Sequence, residues 1–260
     1  MQTSKKARLP LLIGGIVLLV AGLVCAILTR PQAIAEQAAE SSKLFYALSL
    51  IAILVGLVGA IAGLPSARAK TNVRVLALAS LFAALCYIGF SFFKIDIPVG
   101  TEKTAFHLGN VFCVLAALFL GGAWGGMAGA VGMTIADLTT GYVTSAPKTF
   151  LLKLCIGLIV GVVSGRLLHL ERETKKSRLV WGTFLSAAAG MLFNMIADPV
   201  VGFFYKTYVL GVPQEAAAIW AKIGAVTTSV NAVIAVLAAS VFYLAIRPAL
   251  QHAGLLEKLR

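Results

Sequence analysis

Near the middle of the chain, residues 120–132 read Leu120-Gly-Gly-Ala-Trp-Gly-Gly-Met-Ala-Gly-Ala-Val-Gly132. This stretch is apolar, and its glycines recur at every fourth residue, at Gly121, Gly125 and Gly129. Small residues at this spacing let helix backbones approach closely in a membrane, where lipid provides no hydrophobic drive for helix association. The same spacing recurs at Gly157, Gly161 and Gly165. The pattern therefore predicts closely packed transmembrane helices.

The composition of the whole chain agrees with a membrane protein. Of its 260 residues, 60% are hydrophobic and 12% are charged, and the mean hydropathy is +0.94. Soluble domains carry charge on roughly a quarter of their residues, so a soluble globular domain is excluded. The sequence contains no GxxxxGK[ST] phosphate loop, no HExxH and no GxSxG. Uphill transport would therefore draw its energy from an ion gradient or from a separate chain.

Apolar runs predict eight membrane-spanning helices. Most are near the length needed to cross a hydrocarbon core of roughly 30 Å, and the fourth and fifth are shorter. The eight lie near Pro10 to Leu28, Leu44 to Leu64, Val73 to Phe93, Phe106 to Leu120, Ala123 to Thr140, Phe150 to Leu168, Leu179 to Phe203 and Ala221 to Ile246. The fourth and fifth spans meet at Gly121-Gly122, which predicts a tight helical hairpin. A cleaved signal peptide ending near Ala33-Ile-Ala35 is the alternative interpretation of the first span.

The net charge of +12 is distributed very unevenly. If the N-terminus is cytoplasmic, the cytoplasmic segments hold 14 cations and three acids, whereas the other side holds 8 cations and 7 acids. Lysine and arginine are retained in cytoplasmic loops. The distribution predicts eight spans with both termini in the cytoplasm.

Polar side chains at membrane depth are costly and commonly face a protein interior or a water-filled cavity. Those toward the outer half of the predicted spans are Asn110, Asp137, Lys148, Lys153, Asn194, Asp198 and Lys222, and Asn231 is a further amide on the last span. Tyr142, Phe150 and Trp220 are aromatic residues near the same level. Each also has a structural explanation, such as helix capping, a snorkelling lysine or an interfacial anchor. Together they predict a polar pocket open to the outside.

Three other features have two interpretations each. Ala79 and Ala83 form an AxxxA pair that either packs inside the bundle or faces another membrane protein. The loop from Lys94 to Ala105 is either a lid over the pocket or a simple connection. His107 is either a hydrogen-bonded structural residue or a ligand, and no second His or Cys stands at metal-ligand spacing. The four cysteines are interpreted as apolar packing residues.

From about Val73 to Ile246 the chain resembles the S components of energy-coupling-factor (ECF) vitamin transporters, in particular the riboflavin, pyridoxine, hydroxymethylpyrimidine and pantothenate group. The resemblance depends on Phe106-His-Leu-Gly-Asn-Val-Phe, on the glycine-rich stretch above, on Ala136-Asp-Leu-Thr-Thr-Gly-Tyr142, and on Ala146-Pro-Lys-Thr-Phe followed by Lys153. It implies an all-α, polytopic, six-helix bundle over residues 71–260. Residues 1–70 then hold two additional transmembrane helices that the usual pattern lacks.

The resemblance implies a substrate-binding subunit without enzymatic activity, cofactor or metal, in a prokaryotic cell membrane. Its ligand would be a water-soluble vitamin or a precursor, bound near the outer face. Its partners would be a transmembrane T component, contacted through Ala79 and Ala83, and two cytosolic ATPases. The candidate substrate-binding residues are Asn110, Asp137, Tyr142, Lys153, Asn194, Asp198 and Trp220.

Two other classes of function remain open on the residues alone. An ion-coupled secondary transporter would use Asp137 or Asp198 as its proton site, although that class often shows inverted repeats. A structural subunit of a membrane complex would need the same polar residues for assembly only.

Overall fold

The apolar runs form six helices in the part of the chain that the computed structural model describes, which is residues 73–100 and 102–254. The helices are α1 (Val73–Ser91), α2 (Gly109–Leu120), α3 (Gly122–Thr139), α4 (Ala146–Val162), α5 (Lys176–Tyr208) and α6 (Gln214–His252). A 3₁₀ turn (Val143–Ser145) precedes α4, and a π-helical turn (Val163–Leu167) follows it. The first two predicted spans lie outside the described residues.

Within the described residues, four helical segments are long and apolar enough to cross a membrane: α1, the segment Val143–Leu167, α5 and α6. The helix α2 is apolar but shorter. The 39 residues of α6 correspond to about 58 Å at 1.5 Å per residue, so this helix exceeds the thickness of a hydrocarbon core. The predicted all-α membrane fold is confirmed.

Glycines bring α3 against its neighbours. A Cβ at Gly157 of α4 would overlap the backbone of Gly126, and one at Gly161 would overlap Gly122. A Cβ at Gly132 would overlap the carbonyl oxygen of Ala83 in α1. The predicted tight hairpin is confirmed as well, because α2 ends at Leu120, α3 begins at Gly122, and Gly121 between them has φ +80°. Gly165, by contrast, has no atom near its Cβ position.

The shortest helix, α2, lies at the centre of the bundle. Eleven of its twelve residues are buried, and α1, α3, α4 and α6 all pack against it. Its Phe119 ring lies 4.8 Å from the ring of Tyr243 in α6 and 6.2 Å from that of Phe82 in α1. Because the helices around α2 are longer than α2 itself, they extend beyond its ends and enclose space there.

The segment between α1 and α2 differs from the prediction of a loop. It is a β-hairpin of β1 (Lys94–Val99) and β2 (Glu102–His107), paired antiparallel from Lys94 opposite His107 to Val99 opposite Glu102. Strand β2 takes up Phe106 and His107, so α2 begins at Gly109 and not at Phe106. Both strands have mixed polarity, which apolar runs alone do not reveal.

At the opposite end of the bundle, a buried arginine holds the connection between α4 and α5. Arg247 of α6 is 4% exposed, and its Nη2 donates to the carbonyl oxygens of Leu170, Glu171 and Glu173 at 2.9, 3.3 and 3.1 Å. The connection is thereby attached to α6, far from the hairpin end.

Candidate functional site

A cavity of about 120 Å³ lies at the end of the bundle that carries the β-hairpin. Its walls come from α1 to α6, from β2 and from the connection between α3 and α4. The polar residues among those that line it are Lys103, Thr104, His107, Asn110, Asp137, Tyr142, Ser145, Lys148, Thr149, Lys153, Asn194, Asp198, Lys206, Thr227, Thr228 and Asn231. Apolar contacts come from Phe90, Met133, Pro199 and Trp220, among others.

The structure brings all seven predicted substrate-binding residues to this one cavity. They are Asn110, Asp137, Tyr142, Lys153, Asn194, Asp198 and Trp220. Two residues considered with them do not line it: Phe150 is half-buried elsewhere, and the side chain of Lys222 is exposed. That the seven bind a substrate stays a prediction.

Asp198 organises one wall of the cavity. Its Oδ1 accepts a hydrogen bond from Lys148 Nζ at 2.8 Å, and its Oδ2 accepts one from Thr228 Oγ1, also at 2.8 Å. These contacts join α4, α5 and α6. The next residue, Pro199, has no N–H, yet α5 continues through it to Tyr208. The charge of Asp198 is therefore balanced within the protein.

Other polar groups at the cavity are buried but lack partners. Lys153 is 6% exposed, and its side chain makes no ion pair or hydrogen bond among the described residues. Across the same part of the chain, three buried side-chain oxygens accept no hydrogen bond: Asn110 Oδ1, Asn194 Oδ1 and Asp137 Oδ2. A buried polar atom without a partner costs about 1–3 kcal/mol. A bound molecule would have to provide hydrogen-bond donors to these three oxygens and an acceptor to the Lys153 ammonium group.

His107 adds an imidazole to this set. Its ring lies 4.6 Å from that of Phe90, and its Nδ1 has no hydrogen-bond partner within the described ranges. Burial, and after it the positive charge of Lys153, lowers the pKa of His107 to about 3. The imidazole is consequently neutral at pH 7.

The hairpin is attached to α6 by side chains that line the cavity. Asn231 accepts a hydrogen bond at Oδ1 from the backbone N–H of His107 (3.0 Å) and donates from Nδ2 to the carbonyl oxygen of Ala105 (3.0 Å). Its amide therefore pairs with the edge of β2 as a neighbouring strand would. Thr227 adds a hydroxyl contact to Thr104 at 3.1 Å.

A second attachment joins the hairpin to the connection between α3 and α4. Asp96 of β1 accepts hydrogen bonds from Tyr142 Oη (2.7 Å) and Lys103 Nζ (2.8 Å), and Lys94 Nζ lies 3.2 Å from it. The ammonium groups of Lys94 and Lys103 lie 4.9 and 4.8 Å from the centre of the Tyr142 ring. Tyr142 is thus engaged at its hydroxyl and its ring, so its main role in this structure is to hold the hairpin.

The pKa of Asp96 lies below its ordinary value. Partial burial opposes its ionisation, but hydrogen bonds from Lys103, Tyr142 and Lys94 outweigh that effect. Burial and the neighbouring Asp96 carboxylate in turn raise the pKa of Tyr142. The phenol therefore stays protonated and remains a donor.

Sequence reasoning missed the threonines and lysines of the hairpin attachment. Gly224, Thr227, Thr228 and Asn231 follow the i, i+3, i+4, i+7 spacing of a single helix face, so their common face could have been found. No local pattern could have placed Lys103 or Thr104 at the cavity, since the strand pairing brings them there.

The two alanines predicted to contact a partner lie in the middle of α1, away from the hairpin. Ala79 is 7% exposed and belongs to the core, and Ala83 is half-buried with its carbonyl oxygen against Gly132. The exposed small side chains of this helix are Ala77, Ser80 and Ala84. This placement favours internal packing for Ala79.

A comparison with protein families identifies the chain. Residues 70–248 match the family model described as ECF-type riboflavin transporter, S component. No curated protein and no solved structure matches the chain. The matched range covers all six described helices except the end of α6 and includes every residue that lines the cavity. The chain is therefore a multi-pass membrane protein that belongs to the ECF-type riboflavin transporter S component family.

Proposed function

We propose that this protein is the substrate-binding subunit of an ECF-type importer that takes up a water-soluble vitamin or a vitamin precursor. The observation that carries the proposal is the cavity at the hairpin end. Among the described residues, Asn110, Asp137 and Asn194 each present there a buried side-chain oxygen without a hydrogen-bond partner, and the buried Lys153 has no ion pair. Binding sites for small molecules combine concave shape with a few convergent polar groups of this kind. The subunit binds its solute without covalent chemistry.

The charge at the two ends of the bundle supports an outward-facing cavity in a prokaryotic cell membrane. The end opposite the hairpin carries exposed Arg172, Lys175, Lys176 and Arg178. Excess lysine and arginine mark the cytoplasmic side of membrane proteins. With that end in the cytoplasm, the cavity opens toward the outside and the C-terminus is cytoplasmic. The two spans that the sequence predicts before α1 would return the N-terminus to the same side.

The proposed partners are a transmembrane T component and two cytosolic ATPases, since the chain itself has no phosphate-binding loop for ATP. Family membership supports these partners. Helix α1 offers the contact surface, because its small exposed residues Ala77, Ser80 and Ala84 would let a second helix approach closely. The buried Ala79 and half-buried Ala83 would support this face from inside the bundle.

The test is to purify the tagged protein from cells that also produce a T component and the two ATPases, in mild detergent. We expect the three partners to copurify, and mass spectrometry of the denatured sample to detect a small molecule released from the protein. Riboflavin is the first compound to seek, because the family model is named for it.

A preparation that carries no solute and recruits no ATPase would overturn the proposal. So would solute uptake into vesicles driven by a pH gradient without ATP, since that result identifies an ion-coupled secondary transporter. A variant such as Lys153→Ala that loses assembly but keeps solute binding would instead indicate a structural subunit.

A further inference from the structure

The charged side chains of the cavity differ in whether the protein already balances them. Asp198 is paired with Lys148 and receives a hydrogen bond from Thr228. Lys103 is paired with Asp96. Lys153 and Asp137 are the buried exceptions, because the described residues give neither of them an ion pair.

These two residues have opposite charges and lie on adjacent helices, Asp137 on α3 and Lys153 on α4. Both are more than nine-tenths buried, with exposed fractions of 3% and 6%, and both line the cavity. They nevertheless lie too far apart for a direct ion pair, for which an N···O distance of 4.0 Å or less is required. Because both line the same cavity, a molecule bound there is able to contact both.

A solute with a net charge would satisfy only one of the two. An anion would pair with the Lys153 ammonium but would face the Asp137 carboxylate in a medium where charges are weakly screened. A cation would meet the converse problem. A solute without net charge avoids both repulsions and still interacts with both residues, if it offers an acceptor to one and a donor to the other.

We propose that Lys153 and Asp137 together select the charge of the solute: the part that enters the cavity is net neutral, with a hydrogen-bond acceptor directed to Lys153 and a donor directed to Asp137. This proposal rests on the proposed function and defines its substrate class. A polar heterocycle with adjacent carbonyl and N–H or hydroxyl groups meets these requirements, whereas a carboxylic acid or an aliphatic amine does not.

The neighbouring amides fit a neutral polar ligand. Asn110 and Asn194 are each 1% exposed and line the same cavity, and each has an Oδ1 without a partner in the described part of the chain. An amide side chain carries two acceptor sites and two donors without charge. It therefore extends hydrogen bonding to the solute without changing the charge balance set by Lys153 and Asp137.

The test compares two pairs of probes that differ in charge, with the purified full-length protein. Nicotinamide and nicotinate are nearly equal in shape, and pyridoxine is compared with pyridoxine 5′-phosphate. Isothermal titration at pH 7.5 should show the wild type binding the neutral member of at least one pair ten-fold or more tightly than its anionic partner. Asp137→Asn removes the negative charge, so it should reduce that ratio at least ten-fold by strengthening anion binding. Lys153→Gln should weaken both members.

The matched control is Lys222→Gln, which removes an exposed lysine outside the cavity and should leave the ratio unchanged. A thermal melt of every variant identifies those that do not fold, and the wild-type ratio tests the proposal even if both cavity variants fail. The proposal is overturned if the wild type prefers the anions, if it binds no neutral probe and its copurified solute is charged, or if a folded Asp137→Asn keeps the wild-type ratio. These outcomes leave copurification of the ATPases intact, so they are distinguishable from failure of the proposed function.

Discussion

Asp198 illustrates at the residue scale how a charge is tolerated in this bundle. It joins Lys148 of α4 to Thr228 of α6, and both contacts are 2.8 Å long. Removing one member of a partly buried ion pair leaves the other charge without compensation, which costs more than the pair itself contributes. Asp198 is therefore expected to matter for stability whether or not a solute is bound.

Asp198→Asn should lower the melting temperature in detergent by several degrees, because Lys148 keeps its charge and loses its partner. The double variant Lys148→Met with Asp198→Asn should recover much of that loss, since no unpaired charge remains. Thr228→Val is the control that removes a single hydrogen bond, worth about 0.5–1.5 kcal/mol. A double variant as unstable as Asp198→Asn alone would contradict this account.

Asn231 is expected to control the mobility of the hairpin. Asn231→Ala removes two hydrogen bonds to β2, each worth about 0.5–1.5 kcal/mol, so the amide hydrogens of β2 should exchange about ten-fold faster. Hydrogen exchange followed by mass spectrometry measures this directly. Val230→Ala changes an exposed side chain of the same helix and should have no effect on β2. Unchanged exchange in Asn231→Ala would show that other contacts hold the strand.

Asp96 makes the second hairpin attachment dependent on pH. Because the pKa of Asp96 is lowered in the folded protein, its contribution is fully present above the unfolded pKa of about 3.9 and is lost as pH falls through the folded value. Exchange of the β1 amides, corrected for intrinsic rates, should thus be constant from pH 8 to pH 5. Asp96→Asn should raise that exchange throughout this range. A rise in wild-type exchange already between pH 7 and pH 6 would point to another titrating group.

At the scale of elements, the contact between α3 and α4 depends on glycine. The Cβ of an alanine at Gly157 would overlap the backbone of Gly126, where no side chain can move aside. The helices would have to separate, and α3 also packs on α1 and α2. A local change at this contact therefore affects the whole wall of the cavity.

Gly157→Ala should destabilise the protein by about 1–3 kcal/mol, the usual cost of overpacking a core. Gly165→Ala is the matched control, because the space at its Cβ position is open, and it should be neutral or slightly stabilising. Both are measured by thermal unfolding in the same detergent. Equal melting temperatures for the two variants would mean that the helices adjust without cost.

At the scale of the whole molecule, the two faces of α1 have different roles. Ala79 lies in the core, whereas Ala84 is exposed on the opposite side of the helix. Ala79→Leu should lower the melting temperature strongly through overpacking. Ala84→Leu should fold normally and retain solute, but should reduce copurification of the T component and the ATPases.

The comparison separates folding from assembly within one helix. Leu81→Ala changes a second residue on the same exposed face. If both Ala84→Leu and Leu81→Ala still copurify with the ATPases, this face of α1 is not the contact surface. The T component would then bind elsewhere on the bundle.

Much of the architecture could be predicted because a membrane restricts the choices. Apolar runs of about 20 residues can only be helices there, and the glycine repeat around Gly125 and Gly157 marks the helices that approach most closely. The tight turn at Gly121 follows from the same stretch. Polar residues in apolar helices stand out for the same reason, so Asn110, Asp137, Lys153, Asn194 and Asp198 were recognisable before any contact was known.

Residue patterns along the chain are therefore sufficient to predict the class of fold and a set of polar residues at one level of the membrane. Which charges are balanced depends on tertiary contacts. Asp198 pairs with Lys148, Tyr142 donates a hydrogen bond to Asp96 of the hairpin, and Lys153 and Asp137 have no ion pair among the described residues. A polar residue at membrane depth can be recognised from its position in an apolar run alone. A hydrogen bond, by contrast, depends on the distance between residues as far apart in the chain as His107 and Asn231. Helix packing and strand pairing set that distance.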